Sequence, residues 1–285
     1  GATGYWYKGD VDDVRLYNRL LSASEVAALY LVRDTGSVAC TPVVHDGLIL
    51  HFTFDDEGLQ NAAPDGPAVA LIPVRGVGSA VSSFKIKSPG RVGAGYATTL
   101  EQNQYTLPTS VALVSALGGV RQFTWSTWYK PTSITIWSKL YLSGTAESGG
   151  VDGFVVYVSP EGKIELRTCV TATRTYSIST LVLERWTHVT VTIDQPSGDA
   201  SIYIDGNLDV DAVGSVDTCE RDIEMIRIGF VDSKGILGSI DDFRLYNRIL
   251  SAAEVAALCP RDCLLLHISE PTRQAETSYA VFFLK

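Results

Sequence analysis

The sequence has no cluster of lysine and arginine. Its 23 basic side chains are outnumbered by 32 acidic ones, for a formal charge of −9 over 285 residues. It therefore lacks the basic face that nucleic acid or an anionic membrane would need, and neither is an expected partner. Long apolar runs are missing as well. The stretches from Val26 to Val32 and from Tyr279 to Leu284 are far shorter than the roughly 20 residues a bilayer-spanning helix needs, so no membrane span is expected. Cysteine is sparse and unpaired in spacing: the five (Cys40, Cys169, Cys219, Cys259, Cys263) form no C-x-x-C and no cluster with histidine, which argues against zinc and for disulfides in an oxidising compartment. Histidine is scarcer still, at four residues, and no Ser or Cys sits in a G-x-S-x-G elbow, so no hydrolytic triad is expected. The first residues, Gly1-Ala2-Thr3-Gly4, carry no charged segment leading into an apolar one, and any secretion signal is expected upstream.

What the sequence does have is a repeat. Gly9 to Tyr30 returns 229 positions later as Gly238 to Cys259, with 16 of 22 residues identical. A shorter echo links Asp46-Gly47-Leu48-Ile49-Leu50-His51 to Asp262-Cys263-Leu264-Leu265-Leu266-His267. The end of one unit thus precedes a full copy, and the start of another follows it. The expected organisation is residues 1–30 as the tail of a preceding domain, 31–44 as linker, 45–259 as one complete domain and 260–285 as the start of a third. Apolar residues in both end segments then need cover from neighbouring domains or from other copies of the protein.

Each tail reads as a strand and a short helix. Phe243 and Leu245 alternate with Asp242 and Arg244, the period of a strand with one buried face. Ser251-Ala252-Ala253-Glu254 is a capping box, with Leu250 and Val255 placed as a hydrophobic staple. Between these ends the sequence is almost wholly strand. Leu48, Leu50, Phe52 and Phe54 share one face. Phe123, Trp125, Thr127 and Tyr129 are expected inside, with Thr124, Ser126 and Trp128 outside; Val189, Val191 and Ile193 face in, with Thr190 and Thr192 out. His51 and His188 take the outward phase and read as structural. Pro160-Glu161-Gly162 and Asp205-Gly206 are turns, and 107–117 suits either a short helix or a wide loop.

These strands carry a family resemblance. Leu48 to Asp56, Phe123 to Pro131, Arg185-Trp186-Thr187-His188-Val189-Thr190-Val191-Thr192-Ile193-Asp194, Ser201-Ile202-Tyr203-Ile204-Asp205-Gly206 and the Gly-x-Ile-Asp-Asp tail resemble, in order, the strands of laminin G-like domains of the concanavalin A-like lectin superfamily. The resemblance implies an all-β fold, an antiparallel two-sheet jelly-roll sandwich with short terminal helices. It also implies a non-enzymatic extracellular module, secreted or at the cell surface, that binds a glycan or protein or serves as a structural element of an array.

Four sets of residues follow as candidates. Some superfamily members are glucanases with carboxylates at alternate positions of one strand. Glu220 and Glu224, around Asp222, have that spacing and define the alternative of a glycan hydrolase, although an acidic loop entering a strand is the preferred reading. Pairing of the first and last strands would bring Asp55 to Asp241, and resembling folds hold a structural calcium near this junction, for which Asp65 is a further ligand candidate. Trp137, Tyr141, Tyr157 and Tyr176 are expected on middle strands, where aromatic rings can stack on sugars. A Cys169–Cys219 bond within the domain, and a bond from Cys40 to Cys259 or Cys263 across its ends, are the expected disulfides.

Overall fold

Alternation of apolar and polar residues builds two antiparallel sheets face to face. The computed structural model describes residues 44–55, 59–75, 79–80, 90–92, 98–99, 103–107, 110–134, 137–144, 153–168, 174–216, 223, 225–229 and 238–259. All of them belong to one unit, Ala39–Cys263. The end segments 1–30 and 260–285, on which the tandem-domain reading rests, lie outside the described residues.

One sheet contains β1 (Leu48–Phe52), β4 (Thr98–Thr99), β6 (Gln122–Pro131), β11 (Thr187–Asp194), β12 (Asp199–Ile204), β13 (Asn207–Ala212) and β15 (Gly238–Tyr246). Its order is β1-β15-β6-β11-β12-β13, with β4 also paired to β15. The second contains β2 (Ile72–Arg75), β3 (Ser79–Ala80), β5 (Asn103–Leu107), β7 (Ser138–Gly144), β8 (Phe154–Val158), β9 (Lys163–Thr168), β10 (Arg174–Thr180) and β14 (Met225–Gly229). Its order is β10-β9-β8-β7-β14-β5-β2-β3. The first and last strands are neighbours, as expected, with Phe52 opposite Phe243 and His51 opposite Arg244. Segment 107–117 divides: β5 ends at Leu107, and α1 (Val111–Leu117) begins at Ser110, whose hydroxyl accepts the Leu113 N–H.

The core lies between the sheets. Phe52, Phe123, Trp125, Val189, Val191, Phe243 and Leu245 from the first sheet meet Tyr105, Leu140, Phe154, Val156, Ile164, Leu166, Ile226 and Ile228 from the second. The inward faces are those the alternation gave except at the start of β1, where an irregularity between Leu48 and Leu50 puts Ile49 in this core and Leu48, expected on the face of Leu50, in the apolar cluster of the terminal helix. The outward faces of the first sheet are not in water: Thr124, Ser126, Trp128, His188 and Thr190 are buried too. Part of this face lies under a second layer, and Trp128 lies under the Arg91 guanidinium. Helix α2 (Ala252–Leu258) starts in the expected capping box and packs Val255 and Leu258, with Leu250, on Leu48, Tyr203 and Tyr246. A short hydroxyl side chain suits such a covered face where it hydrogen-bonds locally, as at Thr124. Thr124 Oγ1 donates to the Arg248 carbonyl at 2.8 Å and accepts the Leu250 N–H at 3.0 Å, tying the helix to the sheet.

The turns follow the backbone chemistry. Asp205 and Gly206 both have positive φ, +50° and +76°, in the two-residue loop joining β12 to β13, as a primed hairpin turn requires. Asn61 organises the segment after β1. Its side-chain amide donates to the carbonyls of Ile49 and Pro67, and its oxygen accepts the N–H of His51 and Ala63.

Candidate functional site

Asp241 and Asp242 sit where β15 bulges. Asp242 has φ +50°, and the register with β6 shifts between Asp241 and Arg244. The bulge sends the two carboxylates different ways. Asp242 joins Arg244, whose Nε and Nη2 stand 3.1 and 3.0 Å from Oδ1, and His51, whose Nε2 is 2.7 Å away. Burial alone would raise the Asp242 pKa, but Arg244 and His51 hold it below the usual carboxylate range. His188, fully enclosed beside Trp128 with ring centroids 5.0 Å apart, is driven by burial down to about 3 and stays neutral. Both histidines therefore have the structural roles the sequence suggested.

Asp241 faces the other way. Its Oδ2 accepts the N–H groups of Arg91 and Val92 at 2.6 and 2.9 Å, and its Oδ1 accepts the Asp242 N–H at 2.9 Å. Burial pushes its carboxyl up to about 7 against the pull of those amides, with the charges of Asp242 and Asp55 adding to the rise. The charge of Asp55 thus reaches Asp241. Asp65 is exposed in the turn at 64–66 and is not among the groups acting on Asp241. Among the described residues no three carboxylate, His or Cys side chains cluster as a metal site. A calcium at this junction would draw on the Asp55 and Asp241 carboxylates, whose chemistry suits that ion, while both Asp241 oxygens also accept backbone N–H groups.

The richer surface is the outer face of the second sheet. Because Ile164, Leu166, Phe154 and Val156 point into the core, Lys163, Glu165 and Arg167 on β9 and Val155 and Tyr157 on β8 point away from it. Register then sets a row across four strands: Lys139 is opposite Tyr157, Tyr157 opposite Glu165, and Glu165 opposite Tyr176. In the next row Val155 is opposite Arg167 and Arg167 opposite Arg174. Trp137, just before β7, lies edge-on to Tyr157 with centroids 6.0 Å apart. The Arg167 guanidinium covers both rings, 5.1 Å from the Trp137 centroid and 4.4 Å from that of Tyr157. It is held there by the buried Glu165 carboxylate, through Nε to Oε1 at 2.7 Å and Nη2 to Oε2 at 3.1 Å. The base of the cluster is enclosed. Its β10 side is open, with Tyr176 39% exposed and the Arg174 side chain 46% exposed.

Three of the four aromatic candidates thus belong to one cluster. Trp137 and Tyr157 touch, and Tyr176 flanks Glu165, on an edge strand where a middle one was expected. Tyr141 lies on β7, with its side chain outside the described set. Sequence reasoning missed Lys139, Glu165, Arg167 and Arg174. The signal was there in Lys163-Ile164-Glu165-Leu166-Arg167, where charges alternate with core residues. Glu220 and Glu224 lie outside the described residues, just before the interior strand β14, and so do Cys40, Cys169, Cys219 and Cys263. Cys259, next to α2, is buried.

A pocket of about 370 Å³ opens where the edge strands β10 and β13 meet, lined by Val182, Leu208, Arg185 and Asp205 among others. Asp209 closes one wall by accepting the N–H groups of Ile178 and Ser179 at 2.6 and 3.1 Å.

The architecture, two antiparallel sheets with aromatic and charged side chains on one outer face, is that of a lectin-like sandwich. Residues 101–256 match the Laminin_G_3 family of the concanavalin A-like lectin/glucanases superfamily, and the chain belongs to that superfamily. No curated protein matches the sequence. Among solved structures the chain is similar to domain 4 of AbnA, a GH43 extracellular arabinanase from Geobacillus stearothermophilus in complex with arabinotriose. That likeness has 19% identity and a TM-score of 0.56, and it covers 74% of this chain and 98% of that one. The chain is similar also to the binding domain of botulinum neurotoxin DC in complex with rat synaptotagmin II, at 13% identity and a TM-score of 0.57 over 76% of this chain. The chain spans about half (52%) of that binding domain. At these identities the likeness establishes the fold, a β-sandwich shared with binding domains. In the described residues, no helix is long and apolar enough to cross a membrane.

Proposed function

We propose that the domain is a non-enzymatic binding module of a larger secreted or cell-surface protein, and that it takes its glycan or protein partner on the outer face of the second sheet. The observation carrying this reading is the Trp137–Tyr157–Arg167–Glu165 cluster, with Arg174 and Tyr176 at its open side. A buried carboxylate fixes Arg167 against two rings, so the site is rigid before any partner arrives, and a preorganised site loses less entropy on binding. Carbohydrate is the favoured partner. Aromatic faces beside hydrogen-bonding groups suit sugar rings, and the arabinanase domain of the same fold was solved with arabinotriose. The repeat of 238–259 at 9–30 supports a place in a tandem array, and a structural calcium at Asp55 and Asp241 completes the proposal.

The test is an array of immobilised glycans probed with the full chain, with its Trp137→Ala variant, and with and without calcium. Binding that the variant loses supports the module. The hydrolase alternative on Glu220 and Glu224 instead requires release of reducing ends from β-glucans, abolished by Glu224→Gln.

A further inference from the structure

Charge on the outer face of the second sheet runs against that of the chain. The protein carries a formal charge of −9. Yet the described side chains on this face include Lys139, Lys163, Arg167, Arg174 and Arg227, with Glu165 as the acid among them. Their placement follows from the core residues between them: Leu140, Ile164, Leu166, Ile226 and Ile228 point inward, so these charges point out.

The imbalance is greatest at the open side. Arg167 and Arg174 stand directly opposite each other on neighbouring strands, an arrangement that like charges disfavour. Glu165 lies between them but does not serve them equally. Arg167 takes both carboxylate oxygens at 2.7 and 3.1 Å, whereas Arg174 Nε stays 3.6 Å from Oε1, beyond hydrogen-bond reach. One carboxylate thus hydrogen-bonds one guanidinium and holds the other only in a looser ion pair. Arg174, its side chain 46% exposed, lies two residues along β10 from the exposed Tyr176 on the same face. Asp209 on β13 is engaged with the Ile178 and Ser179 amides at the strand edge.

We propose, resting on the binding-module reading above, that this site is selective for an acidic sugar: a carboxylate or sulfate of the ligand is held by Arg174, and the ring is stacked on Tyr176. Arg167 is not the anion receptor, because Glu165 already occupies its fork; it shapes the platform with Trp137 and Tyr157. Arginine suits the task, since its planar donors match a carboxylate or sulfate in two-point contact. An exposed edge-strand position leaves room for a chain of several sugars to extend past the site.

Titration of the full chain with trigalacturonate, with a heparin-derived tetrasaccharide and with neutral maltotriose, each at two salt concentrations, tests this. Binding to the carboxylated or the sulfated probe is expected, weaker at the higher salt and weaker by about tenfold in Arg174→Gln, the size of one charge-assisted hydrogen bond. Tyr176→Ala should weaken the same probe, and Arg174→Lys should retain part of the binding. Whichever of the two acidic probes binds identifies the anion. The three substitutions fall at two exposed positions, and an unchanged melting curve establishes that the variants fold. Equal binding of maltotriose, indifferent to Arg174→Gln, overturns the acidic-sugar proposal and leaves the binding face standing. Acidic-sugar binding that is indifferent to Arg174→Gln overturns the placement. No binding of any sugar, by these probes or on the array, overturns both readings.

Discussion

His51 Nε2 and Asp242 Oδ1 meet at 2.7 Å across the β1–β15 ladder although 191 residues separate them in sequence. Arg244, 2% exposed, shares the same carboxylate oxygen, so one anion neutralises a guanidinium that water does not reach. Asp242→Asn is therefore expected to cost roughly 3–5 kcal/mol in urea denaturation, because it strands a buried charge. His51→Gln, which leaves the Arg244 pair intact, should cost well under half of that.

Two buried groups give opposite pH dependences. His188 has its pKa driven by burial from 6.5 to about 3. Between those values the unfolded chain holds a proton that the folded chain lacks, so stability rises with pH across the window and is fully present above it. Asp241 is raised from 3.8 to about 7, and between those values the folded chain holds the extra proton, so stability falls as pH rises. The slopes, each at most about 1.4 kcal/mol per pH unit, nearly cancel from pH 4 to 6.5. In EDTA, Asp241→Asn should make stability climb with pH over this range, and His188→Gln should make it decline. Denaturation at three pH values separates them, and a flat profile in both variants would contradict the assignments.

Gly238 opens β15 with its Cα against β6. A Cβ there would stand 2.3 Å from the Lys130 carbonyl oxygen and 2.9 Å from the Pro131 Cα, both backbone atoms in a paired strand. Gly238→Ala should cost roughly 2–4 kcal/mol, since neither atom can retreat without breaking the ladder. The midpoint of thermal unfolding measures it.

Asn61 makes four hydrogen bonds that hold the segment after β1 on the strand, at distances from 2.8 to 3.1 Å. Asn61→Ala leaves buried backbone groups without partners and should lose roughly 2–3 kcal/mol. Asp65→Ala, in the exposed turn beside it, should change stability by no more than about 0.5 kcal/mol.

The parts of the fold that alternation encodes were legible. Phe123, Trp125, Thr127 and Tyr129 point inward as read, and the capping box at Ser251 and Glu254 starts a helix. The buried state of Thr124, Ser126 and Thr190 was not legible. A hydroxyl at an outward position has the same sequence signature in water and under a second layer, and only tertiary packing distinguishes them, as where the segment before α2 bonds Thr124. The site divides in the same way. Trp137, Tyr157 and Tyr176 stood out as aromatics, whereas Glu165, Arg167 and Arg174 resemble the solvated face of any strand until register sets them side by side. Asp55 and Asp241 could be paired from the meeting of first and last strands. The exposed turn that carries Asp65 was not legible, because the Asn61 hydrogen bonds that direct its loop have no periodicity to read.

The most direct test of the account is where a ligand lands. Amide chemical shifts of the isotope-labelled full chain, recorded with a glycan selected on the array, should move most on β9 and β10, around Glu165, Arg167, Arg174 and Tyr176, and the change should vanish in Tyr176→Ala. Shifts concentrated instead on β12 and β13 around Leu208, with β9 unmoved, would contradict it.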